Sequence, residues 1–213
     1  MSKYQFQESD IYLAGTAIPK NKMGIDDANL LQEIEALLLQ QAYQVFINEL
    51  NDTVRFDENY FKALHHRTFI TLYDWAGEYR SVDMRKGGSL FCIARNLHSA
   101  SRHIFRQLEQ EHFLKNVGSW DKQLFSERLA FYQSELIALH PFYELNGRIT
   151  RLFFDLIAIF NGYEPIDYRH ALKNETNTVN DYILASVACV QNADEHFLQK
   201  IIVMGLNKME ENT

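Results

Sequence analysis

A histidine, a carboxylate and two arginines fall within one run of twelve residues, His140-Pro141-Phe142-Tyr143-Glu144-Leu145-Asn146-Gly147-Arg148-Ile149-Thr150-Arg151. A histidine titrates near neutral pH and can take a proton from an attacking hydroxyl. Pro141 disfavours the helical basin for His140, which puts the imidazole at the mouth of a loop. Glu144 is the kind of carboxylate that holds Mg²⁺ beside phosphate groups. Arg148 and Arg151 fall three residues apart in the first turns of a helix beginning near Asn146 or Gly147. Two cations there oppose the helix dipole by roughly 0.3–1 kcal/mol each, so an anion is expected to compensate. Free amides at a helix start, joined by arginines on one face, form a polyphosphate cradle. A structural alternative reads His140 as a helix cap, Gly147 as a turn, and Glu144 and Asp155 as neutralising partners for Arg148 and Arg151. The joint occurrence of base, carboxylate, helix start and arginines within twelve residues favours the chemical reading.

The flanking elements must hold this run in place. Upstream, Phe125, Leu129, Tyr132, Leu136 and Leu139 are spaced four, three, four and three residues apart, one continuous helical stripe that stops at His140-Pro141. Downstream, Ile149, Leu152, Phe153, Leu156, Ile157 and Phe160 share a helix face that ends at Asn161-Gly162. Earlier in the chain, Asp26 or Asp27 caps a helix with Leu30, Leu31, Ile34, Leu37, Leu38 and Ala42 as its apolar face, running towards Leu50. Further helices are expected over Tyr60 to Leu72 and Ser99 to Glu111, with a break at Asn116-Val117-Gly118-Ser119. After Tyr182 one or two more follow, interrupted around Gln191 to Asp194. Between them, residues 80–84 and 90–93 flank Lys86-Gly87-Gly88, a pattern for two short strands joined by a glycine turn.

The 213 residues are 46% hydrophobic and 23% charged, with only three prolines and nine glycines, which suits one helix-rich domain. A formal net charge of -7 sets aside a role in coating nucleic acid. Cys92 and Cys189 have neither metal nor disulfide-framework spacing and read as reduced thiols. No H-E-x-x-H occurs among the eight histidines, and His65-His66 point to different faces. Neither a leader nor a membrane-spanning run is visible, so a cytoplasmic location without membrane contact is expected.

His140-Pro141-Phe142-x-Glu144-x-Asn146-Gly147-Arg148-x-x-Arg151 resembles the signature of Fic-domain proteins, H-P-F-x-[D/E]-G-N-G-R-x-x-R. A second block, Leu64-His65 through Tyr73-x-Trp75-Ala76-Gly77-x-x-Arg80, is similar to the segment leading into the Fic flap. Lys86-Gly87-Gly88-Ser89-x-Phe91 falls where that flap belongs. The resemblance implies an all-α helical bundle (Fic fold) with one short β-hairpin flap. It covers a core of about residues 30–162, within a single domain 1–213 that adds an N-terminal arm (1–25) and C-terminal helices (163–210).

It further implies a protein adenylyltransferase that moves AMP from ATP to a Ser, Thr or Tyr hydroxyl of a target protein. His140 would be the base and Glu144 the Mg²⁺ ligand. Asn146 would stabilise the α-phosphate, and Leu145, Asn146, Gly147, Arg148 and Arg151 would bind the phosphates. Phe142 would anchor the loop in the core. Val82, Asp83, Met84, Ser89, Leu90 and Phe91 would hold the target segment by strand addition, with Tyr73 and Trp75 packed under the flap. Leu145 replaces the first glycine of the G-N-G triplet. If that position needs a positive φ the leucine is strained; if only its amide is needed, leucine supplies it equally well. No Ser or Thr lies four residues before any glutamate, so the [S/T]-x-x-x-E-[G/N] inhibitory helix of many Fic proteins is absent from the sequence. A toxin restrained by a separate small antitoxin, whose glutamate docks on Arg151, is the arrangement this implies. The alternatives are a degenerate Fic domain that binds nucleotide or partner without turnover, and transfer of another phosphate-containing group.

Overall fold

The computed structural model describes residues 5–6 (backbone only), 11–115, 117–118, 120–173 and 179–210. Its helices are α1 (Ala28–Asn48), α2 (Glu58–Phe69), α3 (Leu97–Gln110), α4 (Lys122–Leu139), α5 (Asn146–Phe160), α6 (Arg169–Leu172), α7 (Asp181–Asn192) and α8 (His196–Gly205). Three short strands, β1 (Gln5–Phe6), β2 (Met84–Lys86) and β3 (Ser89–Leu90), form one antiparallel sheet in the order β1-β2-β3. The expected all-α bundle with a hairpin is what the chain forms. The expected break at Asn116 to Ser119 lies partly outside the described residues, since Asn116 and Ser119 are not among them.

Helices α1, α2, α4 and α7 begin where Asp27, Asp57, Asp121 and Asn180 accept hydrogen bonds from first-turn amides, each such cap contributing about 1 kcal/mol. The expected face of α1 is rotated. Leu30 and Leu37 are exposed, while Leu31, Glu35, Ala42 and Phe46 face inward. The reason is tertiary: this face meets α2 and α5, and a buried carboxylate on it has partners there.

The α4-α5 hairpin is the centre of the bundle. α4 packs against α3, α5, α7 and α8, and besides its predicted stripe it buries Ser126, Ala130, Gln133, Ser134 and Ile137. A helix covered on several sides needs more than one apolar face. Phe153 of α5 lies edge-on to Phe56, Phe61 and Phe105, which fixes the α4-α5 end carrying residues 140–145 against α2 and α3. In the hairpin, Gly87 takes φ 58 as the first residue of a two-residue turn, the position where glycine is favoured in a II′ connection. The hairpin is underlain by Met84, Phe91 and Val190 of α7. Tyr73 and Trp75 do not lie under it. They stack on one another at 4.4 Å and pack in the main core, Trp75 edge-on to Tyr143, because α2 ends beside the residue 140–145 loop and not beside the hairpin.

Candidate active site

His140 ends α4 in the left-handed region, φ 45 and ψ 58, so the push that Pro141 exerts is visible. Its ring is buried and stacks on Phe91 at 3.8 Å with the planes 13° apart; it is held against the flap, not left open at a loop mouth. Phe142 points the other way, into the core, stacked on His65 at 4.0 Å and tilted against Phe61. Asn146 closes the turn between them. Its side-chain oxygen accepts from the Phe142 amide at 2.8 Å, and its side-chain nitrogen donates to the Phe142 carbonyl at 2.7 Å. The Asn146 side chain is thus committed to shaping the loop, and what it can offer an anion is chiefly its backbone amide.

Two residues upstream of the loop organise it. His65 is fully buried. The Gly77 amide donates to its Nδ1 at 2.9 Å, so the ring proton sits on Nε2, which donates to the Glu144 carbonyl at 3.2 Å. Burial pushes its pKa down to about 3, so this imidazole is neutral and structural. Gly77 must be glycine: φ is 82, and a Cβ there would stand 2.7 Å from the His66 Cβ. Arg80 donates to the carbonyls of His140 (2.8 Å), Val82 (2.6 Å), Cys92 and Leu139 (3.4 Å), and its own amide donates to Pro141. One guanidinium therefore ties the end of α4 and the loop to both feet of the hairpin.

Glu144 is buried, and its Oε1 accepts a 2.7 Å hydrogen bond from the Tyr12 hydroxyl. Leu145 stands at the start of α5 with φ 68 and makes no side-chain cap. The position does require a positive φ, so the leucine carries strain of about 1–2 kcal/mol. Its side chain turns into the main core and is buried there, which offsets the strain and keeps it out of the space in front of the helix. Leu145→Gly is expected to remove both the strain and the burial, for a net loss of roughly 1–3 kcal/mol and several degrees of Tm in a thermal melt, with nucleotide affinity by calorimetry altered less than about threefold because the backbone amide stays.

Arg148 forms a 3.0 Å ion pair with Glu35 of α1, whose other oxygen accepts from the Tyr73 hydroxyl at 2.5 Å. The nitrogen that makes this pair, Arg148 Nη1, is buried against the Glu35 carboxylate. Arg151 lies over the Tyr182 ring at 5.0 Å, and Tyr182 is fixed by Gln133, which also accepts from Tyr168. The Arg151 side chain also lines a cleft of about 500 Å³ with Tyr43, Asp155, Ile166 and Tyr168. Of the pairings in the structural alternative, Arg148 takes Glu35 as its ion-pair partner, while Asp155 accepts from the Tyr43 hydroxyl and the Ile166 amide within reach of the Arg151 charge. Burial raises the Asp155 pKa to about 7.

Of the expected flap residues, Phe91 is the one seen stacked on His140. Ser89 is bonded to Gln191 of α7 at 3.2 Å, Asp83 accepts from the Ala94 amide at 2.7 Å, and Leu90 is exposed. Sequence reasoning missed Tyr12 and Glu35. Glu35 carried a signal, an acid on the apolar side of a helix; Tyr12 carried none. No cluster of three or more His, Cys, Asp or Glu suited to a metal occurs among the described residues, and none of their helices is long and apolar enough to cross a membrane. The Glu144 carboxylate beside amides with no side-chain cap and two arginines fits a nucleotide whose phosphates supply the remaining oxygen ligands of a Mg²⁺ ion.

Comparison with known proteins agrees with this arrangement. The Fic/DOC family profile matches residues 55–158. The chain is 31% identical over 156 residues to the probable protein adenylyltransferase Fic of Escherichia coli (strain K12), covering 73% of this chain and 75% of that one. It is 32% identical over 176 residues to the protein adenylyltransferase VbhT of Bartonella schoenbuchensis, covering 82% of this chain and 36% of VbhT. The fold matches that of BepC from Bartonella tribocorum, crystallised with bound AMPPNP, at a TM-score of 0.80 and 23% identity over 94% of this chain and 97% of that one. With the H-P-F loop, the N-G-R-x-x-R helix start and the hairpin in one assembly, the chain belongs to the Fic/DOC family.

Proposed function

We propose that this protein transfers the AMP moiety of ATP to a hydroxyl-bearing side chain of a target protein. The observation that carries the reading is the start of α5, where backbone amides with no side-chain cap are flanked by the buried carboxylate of Glu144 and by Arg148. The names of the relatives, and the nucleotide bound by the structural neighbours, support it. The first-turn amides and Arg148 and Arg151 would hold the phosphates, and Glu144 would hold Mg²⁺, which neutralises phosphate charge when bound. His140 accepts the proton of the target hydroxyl as its oxygen bonds to the α-phosphorus, the bond from that phosphorus to the bridging oxygen breaks, and pyrophosphate leaves with the bonding pair. Phe91 fixes the imidazole plane for this transfer.

Restraint by a separate small protein belongs to the same reading. Its support is the missing inhibitory motif in the sequence and the cleft through which Arg151 is reached. Incubation with Mg²⁺ and ATP labelled at the α- or the γ-phosphate, in a lysate of cells lacking the protein, tests the transfer. Protein-bound α-label that is lost with His140→Ala is the expected result. Transfer of the γ-label would point to another group, and nucleotide binding with no label would point to a domain without turnover.

A further inference from the structure

Two described pieces of the chain before α1, residues 5–6 and the stretch from residue 11, meet the hairpin and the loop. β1 pairs antiparallel with β2, Gln5 opposite Arg85 and Phe6 opposite Met84. On the other side of β2, the Phe91 amide donates to the Met84 carbonyl, so Arg85 must turn its own amide and carbonyl outward, towards Gln5. That outward edge is where a further strand could add, because β3 leans on α7 through Ser89 and Gln191. Six residues after β1, Tyr12 reaches Glu144 Oε1 at 2.7 Å. Tyr12 is braced for this. It forms a bridge with Pro19, the Lys20 amide donates to the Ile11 carbonyl at 2.7 Å, and Lys22 is anchored by its amide to Leu72 and by its Nζ to Ile70. A strand of two residues on a firmly rooted Tyr12 is a weak ladder on a strong base.

We propose that this arm is a resident competitor in cis: its strand fills the hairpin edge that a target segment would use, and the Tyr12 phenol fills the carboxylate that the cation would use. The inference rests on the transfer reading above. It also supplies a restraint of a kind that the sequence did not display, since no glutamate of an inhibitory helix is involved. Release of β1 opens the hairpin edge, and a turn of the Tyr12 side chain removes the phenol from Glu144 Oε1.

Two full-length variants test it, neither altering a residue assigned to phosphate binding or proton transfer. Gln5→Pro removes the amide that faces Arg85, and Tyr12→Phe removes the phenol oxygen. Hydrogen exchange at the Arg85 amide is expected to quicken about tenfold or more in Gln5→Pro. Binding of Mn²⁺ in the presence of ATP, followed by electron paramagnetic resonance, is expected to tighten about tenfold in Tyr12→Phe. Transfer of α-label is expected to rise in both. Rapid Arg85 exchange already in the unaltered protein, or equal Mn²⁺ affinity with and without the phenol, would overturn the proposal even if AMP transfer is observed. If exchange and Mn²⁺ affinity both shift while no protein accepts AMP, the competitor stands and the transfer reading fails.

Discussion

His140→Ala is expected to lower AMP transfer about 10²- to 10⁴-fold, the usual share of a positioned base, with KM for ATP little changed. The separation follows from the geometry. The imidazole lies on Phe91 at the flap, whereas the groups suited to phosphate lie at the start of α5, so removing the ring spares the nucleotide. A base works only when neutral, so the rate for the unaltered protein should fall on the acid side of a profile measured between about pH 5 and 8. The residual rate of the variant should lack that acid limb. Initial rates with α-labelled ATP at saturating nucleotide give both quantities, and a variant retaining more than a tenth of the activity with an unchanged profile would remove His140 from the role of base.

The second large effect concerns stability. His65→Ala opens a cavity beside Phe142, Phe69 and Trp75 and leaves the Gly77 amide and Glu144 carbonyl without their partner, which is expected to cost about 3–5 kcal/mol near neutrality. That cost depends on pH. Burial holds the folded-state pKa down at about 3, against an ordinary value of about 6.5 in the unfolded chain. The stabilising contribution of the neutral ring is complete above the unfolded value and declines by about 1.4 kcal/mol per pH unit as acid protonates the unfolded chain first. Asp155, raised to about 7 by burial, works in the opposite sense, losing its contribution as pH rises through that value, but it is present in both proteins and cancels from their difference. Urea denaturation from about pH 7 down to 4 should therefore show the two stabilities converging. Parallel curves would mean that the buried imidazole takes up its proton without cost.

The candidate loop was legible in the sequence because its residues are contiguous. Proline and glycine mark both ends of the loop, and apolar stripes on either side fix the hairpin of helices that presents it. Hydrophobic period locates helices but does not say which residues meet across the bundle. It therefore put Leu30 and Leu37 of α1 inward and overlooked Glu35, whose burial depends on Arg148 and Tyr73 arriving from elsewhere. The contact between Tyr12 and Glu144 spans 132 positions, and a strand of two residues has no period at all. The φ of Leu145 was likewise a question the sequence posed and only the backbone answered.

The Arg80 clamp bears on how much the hairpin can vary. The guanidinium grips the feet of the hairpin, at Val82 and Cys92, through carbonyl oxygens, and every amino acid brings a carbonyl. The lettering of the strands between those feet can drift without loosening the residue 140–145 loop, provided that Met84 and Phe91 keep an apolar underside. A lineage can thus exchange one hairpin sequence for another while inheriting the same loop, and an engineer who grafts a foreign hairpin onto these two feet is expected to find that loop unchanged beneath it.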